Sequence, residues 1–213
     1  MPRFPGENFA AAGGVFRSGL LGQVRRTIDD AEAVARARDG DLDAYSVLVA
    51  RYTLRAHRAA FLLGAGEEAD DVVQEAFVKA FRHLSRFRAG ESFGPWLLRI
   101  VTNETRNLAR SRRRRAALAV RLGTAESADT AADAPVDEVL AAERRAQLLA
   151  AVRALPARER QVLVCRYFLD LSEAETAQVL AWPLGSVKSR TWRALNRLRA
   201  QLVPGTQSRV SSG

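Results

Sequence analysis

Between Ala69 and Leu84 a stripe of apolar residues runs through Ala69, Val72, Val73, Ala76, Phe77, Ala80, Phe81 and Leu84. Their steps alternate three-then-one without a break, so the spacing predicts an amphipathic helix over four turns. The opposite face gathers Asp70, Asp71, Gln74 and Glu75 near the helix start, where carboxylates also suit the helix dipole. Upstream, Asp41 is placed to cap a helix through Tyr45, Leu48, Val49 and Tyr52 to Leu62, with Gly64 and Gly66 ending it. Downstream, the loop 88–95 leads to Pro95, which sits without cost in a first helical turn, and a helix from Trp96 to about Arg114 follows.

The second half repeats the helical pattern after a break. Segment 116–136 is rich in Ala, Thr, Ser and Asp, has no aromatic residue, and reads as a flexible linker with some capacity for transient helix. Helices are then predicted from Asp137 to Leu155, from Pro156 to about Phe168, from Ser172, and from Ser186 to Leu202. Ser172-Glu173-Ala174-Glu175 has the form of a capping box. Gly185 is expected to make the turn before a recognition helix capped by Ser186, whose inner stripe is Val187, Thr191, Ala194, Leu195 and Leu198. That is a helix-turn-helix pattern, which presents N-terminal side chains to base edges. The fold class is therefore all-α, with two small helical domains joined by a flexible linker. The expected divisions are an N-terminal extension 1–29, a first domain 30–115, the linker 116–136, a second domain 137–203 and a tail 204–213, with both ends disordered.

Composition narrows the chemistry. The 213 residues carry a formal net charge of +9, which favours a polyanionic partner, nucleic acid first. Lys79 and Lys188 are the only lysines, so the arginine excess reads as codon bias and the clustering of charge is the better signal. The run Arg110-Ser111-Arg112-Arg113-Arg114-Arg115 is dense enough to track phosphates. No run approaches eighteen apolar residues and the first thirty lack a signal-peptide core, so a cytoplasmic protein without membrane insertion is expected. The single cysteine, Cys165, lies among Val162, Leu163 and Val164 as a core residue, and two histidines without a cysteine cluster give no metal site. No nucleophile–base set or phosphate-cradling glycine loop is present, so neither an enzyme nor a cofactor is expected.

The string D-D-V-V-Q-E-A-F-V-K-A-F-R resembles the polymerase-binding helix of bacterial sigma factors of the sigma-70 family, in the extracytoplasmic-function group. The strings L-P-A-R-E-R-Q-V-L, Y-F-L-D-L-S-E-A-E-T-A-Q-V-L and P-L-G-S-V-K-S-R-T-W-R-A-L resemble that family's reader of the promoter −35 element. Ala174, Thr176 and Trp182 depart from the usual pattern.

The resemblance implies that Asp70, Asp71, Gln74 and Glu75 dock on core RNA polymerase, at the β′ clamp helices, with the β flap as a further contact. It implies that Phe93, Arg99, Asn103, Arg106, Asn107 and Arg110 read and hold the melted −10 strand. It places Arg166, Lys188, Ser189, Arg190, Trp192 and Arg193 on the −35 element. Trp96 reads first as a core anchor, and Trp192 fits a packing role as well as a base-facing one. The implied partners are core polymerase, promoter DNA and, as in many relatives, an anti-sigma factor. Two other classes remain: a helix-turn-helix regulator that is no polymerase subunit, and a basic RNA-binding or nucleoid-structuring protein.

Overall fold

The computed structural model describes residues 28–88, 90–122 and 136–202, and among them there is no strand. Helix α1 (Asp30–Arg38) is capped by Asp29, whose carboxylate accepts from Glu32 N–H. Helix α2 (Leu42–Ala60) is capped by Asp41 as expected, with 2.9 Å between its Oδ1 and Ala44 N. A wider turn at Phe61–Ala65 closes α2, and Gly64 and Gly66 there take φ of 109° and 62°, the left-handed region that favours glycine. Helix α3 (Ala69–Arg82) buries Ala69, Val72, Val73, Ala76, Phe77 and Ala80, with Phe81 half-buried. Each large side chain of that stripe removed from water contributes about 1.5–3 kcal/mol.

Helix α4 (Phe93–Leu122) is the longest element at 30 residues, about 45 Å at 1.5 Å per residue. It packs on α2 and α3 through Phe93, Leu97, Leu98 and Val101, all at most 1 % exposed. Tyr52, Phe87, Phe93 and Trp96 form an aromatic knot at its start, with ring centroids 5.3–6.1 Å apart. Pro95 lies in the first turn as expected, but the helix begins earlier and ends later than its sequence suggests. Its last residues, 116–122, occupy the start of the expected linker, because alanine, leucine and arginine favour helix continuation. The rest of that linker to 135, and the segments 1–27 and 203–213, lie outside the described residues.

The second half comprises α5 (Val136–Ala154), α6 (Ala157–Leu163) with a wider turn to Phe168, α7 (Glu173–Leu180) and α8 (Leu184–Leu202). Both bonds of the Ser172–Glu175 capping box form, at 2.8 and 3.1 Å. The expected Ser186 cap does not form. Ala181 takes the left-handed turn conformation, with φ of 55°, and Pro183 O accepts from Ser186 N–H at 2.9 Å, so α8 starts at Leu184. Ser186 and Gly185 therefore sit inside its first turn. The inner stripe is as expected, with Val187 and Ala194 buried and Thr191, Leu195 and Leu198 half-buried. Cys165 is fully buried, and burial pushes its thiol up to about 12.

The two halves touch. Helix α4 lies against α7, Arg55 donates to Leu169 O at 2.5 Å, and the Arg153 guanidinium sits 4.9 Å above the Phe61 ring. Arg106 reaches Gln161 Oε1 at 3.3 Å, and Arg160 reaches Leu63 O at 3.4 Å.

The capping box has a pH signature. The Ser172 hydroxyl and backbone N–H hold the Glu175 carboxyl below its ordinary value of 4.5. A lowered folded value means the box's ionic contribution is complete above the unfolded value and is lost as pH falls through the folded one. Glu175→Gln keeps the geometry without the titration. Its urea midpoint is expected to fall less than that of the parent between about pH 6 and about pH 3. Parallel losses in the two proteins would exclude this role for Glu175.

Candidate polymerase and nucleic-acid interfaces

Three polar surfaces emerge from the fold. The first is the outer face of α3, where Asp70, Asp71, Gln74 and Glu75 are all exposed. Their exposure follows from the stripe: once its apolar residues turn inward, the intervening positions have only solvent. Asp70 lies 3.4 Å from His57 Nε2, an ion pair only when the imidazole is protonated. Glu75 lies 3.2 Å from Lys79, whose ammonium also bonds Glu104 on α4 at 2.6 Å. The Glu104 bond comes first among the causes that raise the Lys79 pKa, against some desolvation. Asp71 has no cationic partner among the described residues. The acidic face is thus largely uncompensated in a basic protein.

The second surface is the outer face of α4. Arg99, Asn103 and Asn107 fall at successive four-residue steps, and all three, with Arg110, are exposed. Asn103 Oδ1 accepts from Arg106 at 3.4 Å, and Asn107 Nδ2 approaches both Glu104 oxygens at 3.4 Å. These long contacts leave the amides free to exchange partners. Asn107, Arg110, Arg113 and Arg114 line an open depression of about 380 Å³ beside them.

Phe93 is not on this surface. At 1 % exposure it is the largest fully buried side chain of the fold, because the chain enters α4 by turning that ring into the aromatic knot. A base contact from Phe93 is excluded in this arrangement. Arg106 is only half-buried toward the second half, where burial first, and Arg110 and Arg158 after it, lower its pKa.

The third surface is on α8. Lys188, Ser189, Trp192 and Arg193 are exposed, and Trp192, 68 % exposed, is no packing residue. Lys188 lies 3.6 Å from Glu173 of α7, a loose pair that a phosphate can displace. Arg190 is half-buried, its guanidinium 4.7 Å over the Trp182 ring, so its first duty is to brace the turn between α7 and α8. Arg166 is also half-buried and donates to Leu171 O, tying the turn before α7. That bond engages its guanidinium within the fold.

One arginine of the run is structural, which its sequence context does not signal. Arg112 donates to Glu68 Oε1 at 2.9–3.0 Å, to Gly64 O at 2.9 Å and to Ala65 O at 2.5 Å. It satisfies carbonyls freed where the chain leaves α2. Arg197 likewise pairs with buried Glu159 at 2.8 Å and joins α8 to α6. Among the described residues no group of three or more His, Cys, Asp or Glu could hold a metal, and no helix is long and apolar enough to cross a membrane.

An all-α chain with an exposed acidic helix, an asparagine–arginine helix and a helix-turn-helix has the design of a transcription initiation factor. Residues 33–115 match the family model for sigma-70 region 2, and residues 145–198 match that for sigma-70 region 4. The chain is 31% identical to the ECF RNA polymerase sigma factor SigW of Bacillus subtilis, over 79% of this chain and 94% of SigW. It is 31% identical to the ECF RNA polymerase sigma-E factor of Escherichia coli K12, over 83% of this chain and 96% of that protein. With BldN of Streptomyces coelicolor the identity is 34%, over 81% of this chain but only 65% of BldN.

Among solved structures, CnrH in complex with the cytosolic domain of CnrY is similar, with a TM-score of 0.62, 29% identity and coverage of 81% and 96% of the two chains. The sigma factor RpoE of Bartonella quintana, solved with the anti-sigma factor NepR, shares the fold with a TM-score of 0.62 at 22% identity, over 74% of this chain and 96% of its own. The chain belongs to the sigma-70 family, in its extracytoplasmic-function group. It is an alternative RNA polymerase sigma factor, from a family of initiation factors rather than enzymes.

The division between buried and exposed aromatics is directly testable. Phe93→Ala is expected to lower stability by about 3–5 kcal/mol, as for other buried phenylalanines. Trp192→Ala is expected to stay within about 0.5 kcal/mol of the parent, as exposed substitutions do. Urea unfolding of both variants decides it, and equal losses would contradict the assigned surfaces.

Proposed function

We propose that this sigma factor docks on core RNA polymerase through the acidic face of α3, holds the melted −10 strand on the outer face of α4, and reads the −35 element with α8. The observation that carries the reading is the chain-ordered set of exposed faces: carboxylates on α3, Asn103 and Asn107 among arginines on α4, and Lys188, Ser189, Trp192 and Arg193 on α8. The carboxylates suit a basic partner, the β′ clamp helices, and repel DNA from the docking face.

A base drawn out of the stack must be received by hydrogen-bonding groups, and each asparagine offers both donor and acceptor. Neighbouring arginines supply phosphate contacts for the single strand. The working division is residues 30–115 for docking and −10 recognition and residues 137–203 for −35 recognition, the latter carrying the further contact to the β flap. Phe93, Arg106, Arg166 and Arg190 are assigned positioning rather than free base-contact roles. CnrH and the Bartonella RpoE were solved with CnrY and NepR, which supports an antagonist of the same kind for this chain, acting in the cytoplasm.

Docking is tested by charge reversal. The double variant Asp71→Lys, Glu75→Lys is expected to keep its unfolding midpoint while losing co-purification with core polymerase at moderate salt. Retained binding would remove α3 from the interface.

The two readers separate in a second experiment. Arg193→Ala is expected to weaken duplex binding and relax one −35 position, by about 1–3 kcal/mol for a bidentate base contact. Asn103→Ala is expected to spare duplex capture and impair strand opening. On a promoter whose −10 segment is pre-melted by mismatches, transcription by Asn103→Ala should recover in part and by Arg193→Ala hardly at all. Equal rescue of both variants, or of neither, would refute the division of roles.

A further inference from the structure

Where the halves meet, α4 and α6 enclose a cleft of about 340 Å³. Its walls carry Arg106, Arg110 and Arg113 from α4 and Arg158 and Arg160 from α6, with Trp182 at one side. No carboxylate lines it, and none of these five arginines is ion-paired among the described residues. Arg160 spends two donors on the Arg153 and Leu63 carbonyls, but its Nε is buried without a partner. Burial first, and Arg110 and Arg158 after it, lower the pKa of Arg106, while burial followed by Arg153 lowers that of Arg160. Elsewhere the fold spends its guanidinium groups, Arg112 on Glu68 and Arg197 on Glu159. Here carbonyls and amides take some of the donors of Arg106 and Arg160, but no carboxylate offsets the charge.

We propose that this cleft binds a polyphosphate anion, either an inorganic phosphate chain or the phosphate tail of a nucleotide, and that the site is complete only when the two halves are together. Planar guanidinium groups take phosphate oxygens two at a time, and several arginines around one cleft match several phosphates better than one. The volume, about ten waters' worth at ~30 Å³ each, accommodates a short phosphate chain. Both walls contribute charge, so a ligand bound between them favours the closed pairing, and more so as its concentration rises above its dissociation constant. If the proposed function also holds, such a ligand opposes promoter use. The two readers would have to lie about 50–55 Å apart, one and a half DNA turns, whereas here α4 lies against α7, the helix next to α8.

The test is calorimetric titration of the full chain with inorganic tripolyphosphate at fixed ionic strength, which involves neither polymerase nor promoter. Its failure is therefore distinct from failure of the functional reading. Saturable binding, with a thermal midpoint that rises with ligand concentration, is expected for the parent. Arg158→Gln on α6 and Arg113→Gln on α4 are each expected to weaken it at least tenfold, while Arg193→Gln on α8 leaves it unchanged. Adenosine triphosphate in parallel separates the sources: tighter binding that Trp182→Ala selectively weakens indicates a nucleotide, and indifference to Trp182 indicates the phosphate chain alone. Absence of saturable binding, or equal loss in Arg158→Gln and Arg193→Gln, overturns the proposal. The latter would mean diffuse attraction to a basic protein.

Discussion

The inner face of α4 is the contact on which the rest of the molecule depends. One rod of 30 residues has to seat the first half's core, offer a polar face outward and meet the second half. Helical periodicity solves this by rotation. Leu97, Leu98 and Val101 point to α2 and α3, Arg99, Asn103 and Asn107 point to solvent, and Thr102, Thr105, Arg106 and Ala109 face the seam. The aromatic knot around Phe93 fixes the rotational setting at the start of the rod, and the Arg112 bonds to Glu68, Gly64 and Ala65 fix it two-thirds of the way along. Between these two anchors the asparagines have no freedom to turn inward. The two anchors therefore hold the amides of Asn103 and Asn107 on the solvent side of the rod.

The seam is built from weaker material than the core. Thr102 and Thr105 are buried there, but their hydroxyls donate back to Leu98 O and Val101 O at 2.8 and 2.9 Å. A threonine satisfied within its own helix contributes a methyl group to the neighbour and asks nothing in return. The cross-seam bonds of Arg106 and Arg160 are long, at 3.3 and 3.4 Å. Such contacts contribute about 1 kcal/mol or less apiece when solvent competes. These two bonds can exchange for water, while Arg55 on Leu169 O at 2.5 Å and an apolar cluster shared by both halves hold the seam more firmly.

Much of this was legible in the sequence where a single physical rule governed a segment. The stripe of α3 obeys one periodicity, so its buried and exposed faces followed directly, and the Asp41 and Ser172 caps followed from side-chain chemistry next to a helix start. Elsewhere two rules competed. Phe93 sits in a loop-like context of glycine and proline, yet helix formation begins at that residue and carries its ring inward. Ser186 has capping chemistry, but the left-handed turn at Ala181 and the carbonyl of Pro183 start α8 two residues sooner. Arg112 and Arg166 look like their neighbours in sequence. Only the tertiary position of unsatisfied carbonyls, at Gly64, Ala65 and Leu171, singles them out.

The arginines make the same point at the level of charge. Composition reports an excess without saying which side chains are engaged, and the fold sorts them into distinct economies. Arg112, Arg166 and Arg197 are absorbed by carbonyls or carboxylates and are unavailable to a partner. Arg99, Arg110 and Arg193 stand exposed on α4 and α8. Arg106, Arg158 and Arg160 line one cleft, where burial first, and Arg110 and Arg158 after it, lower the Arg106 pKa, and burial followed by Arg153 lowers that of Arg160. Thr176, buried with its hydroxyl unpartnered in α7, is a smaller mismatch of the same kind, a polar group held where nothing answers it. Leaving such groups unanswered costs about 1–3 kcal/mol each. One apolar cluster runs through both halves, from Ala33 to Ala194, and its burial offsets that cost.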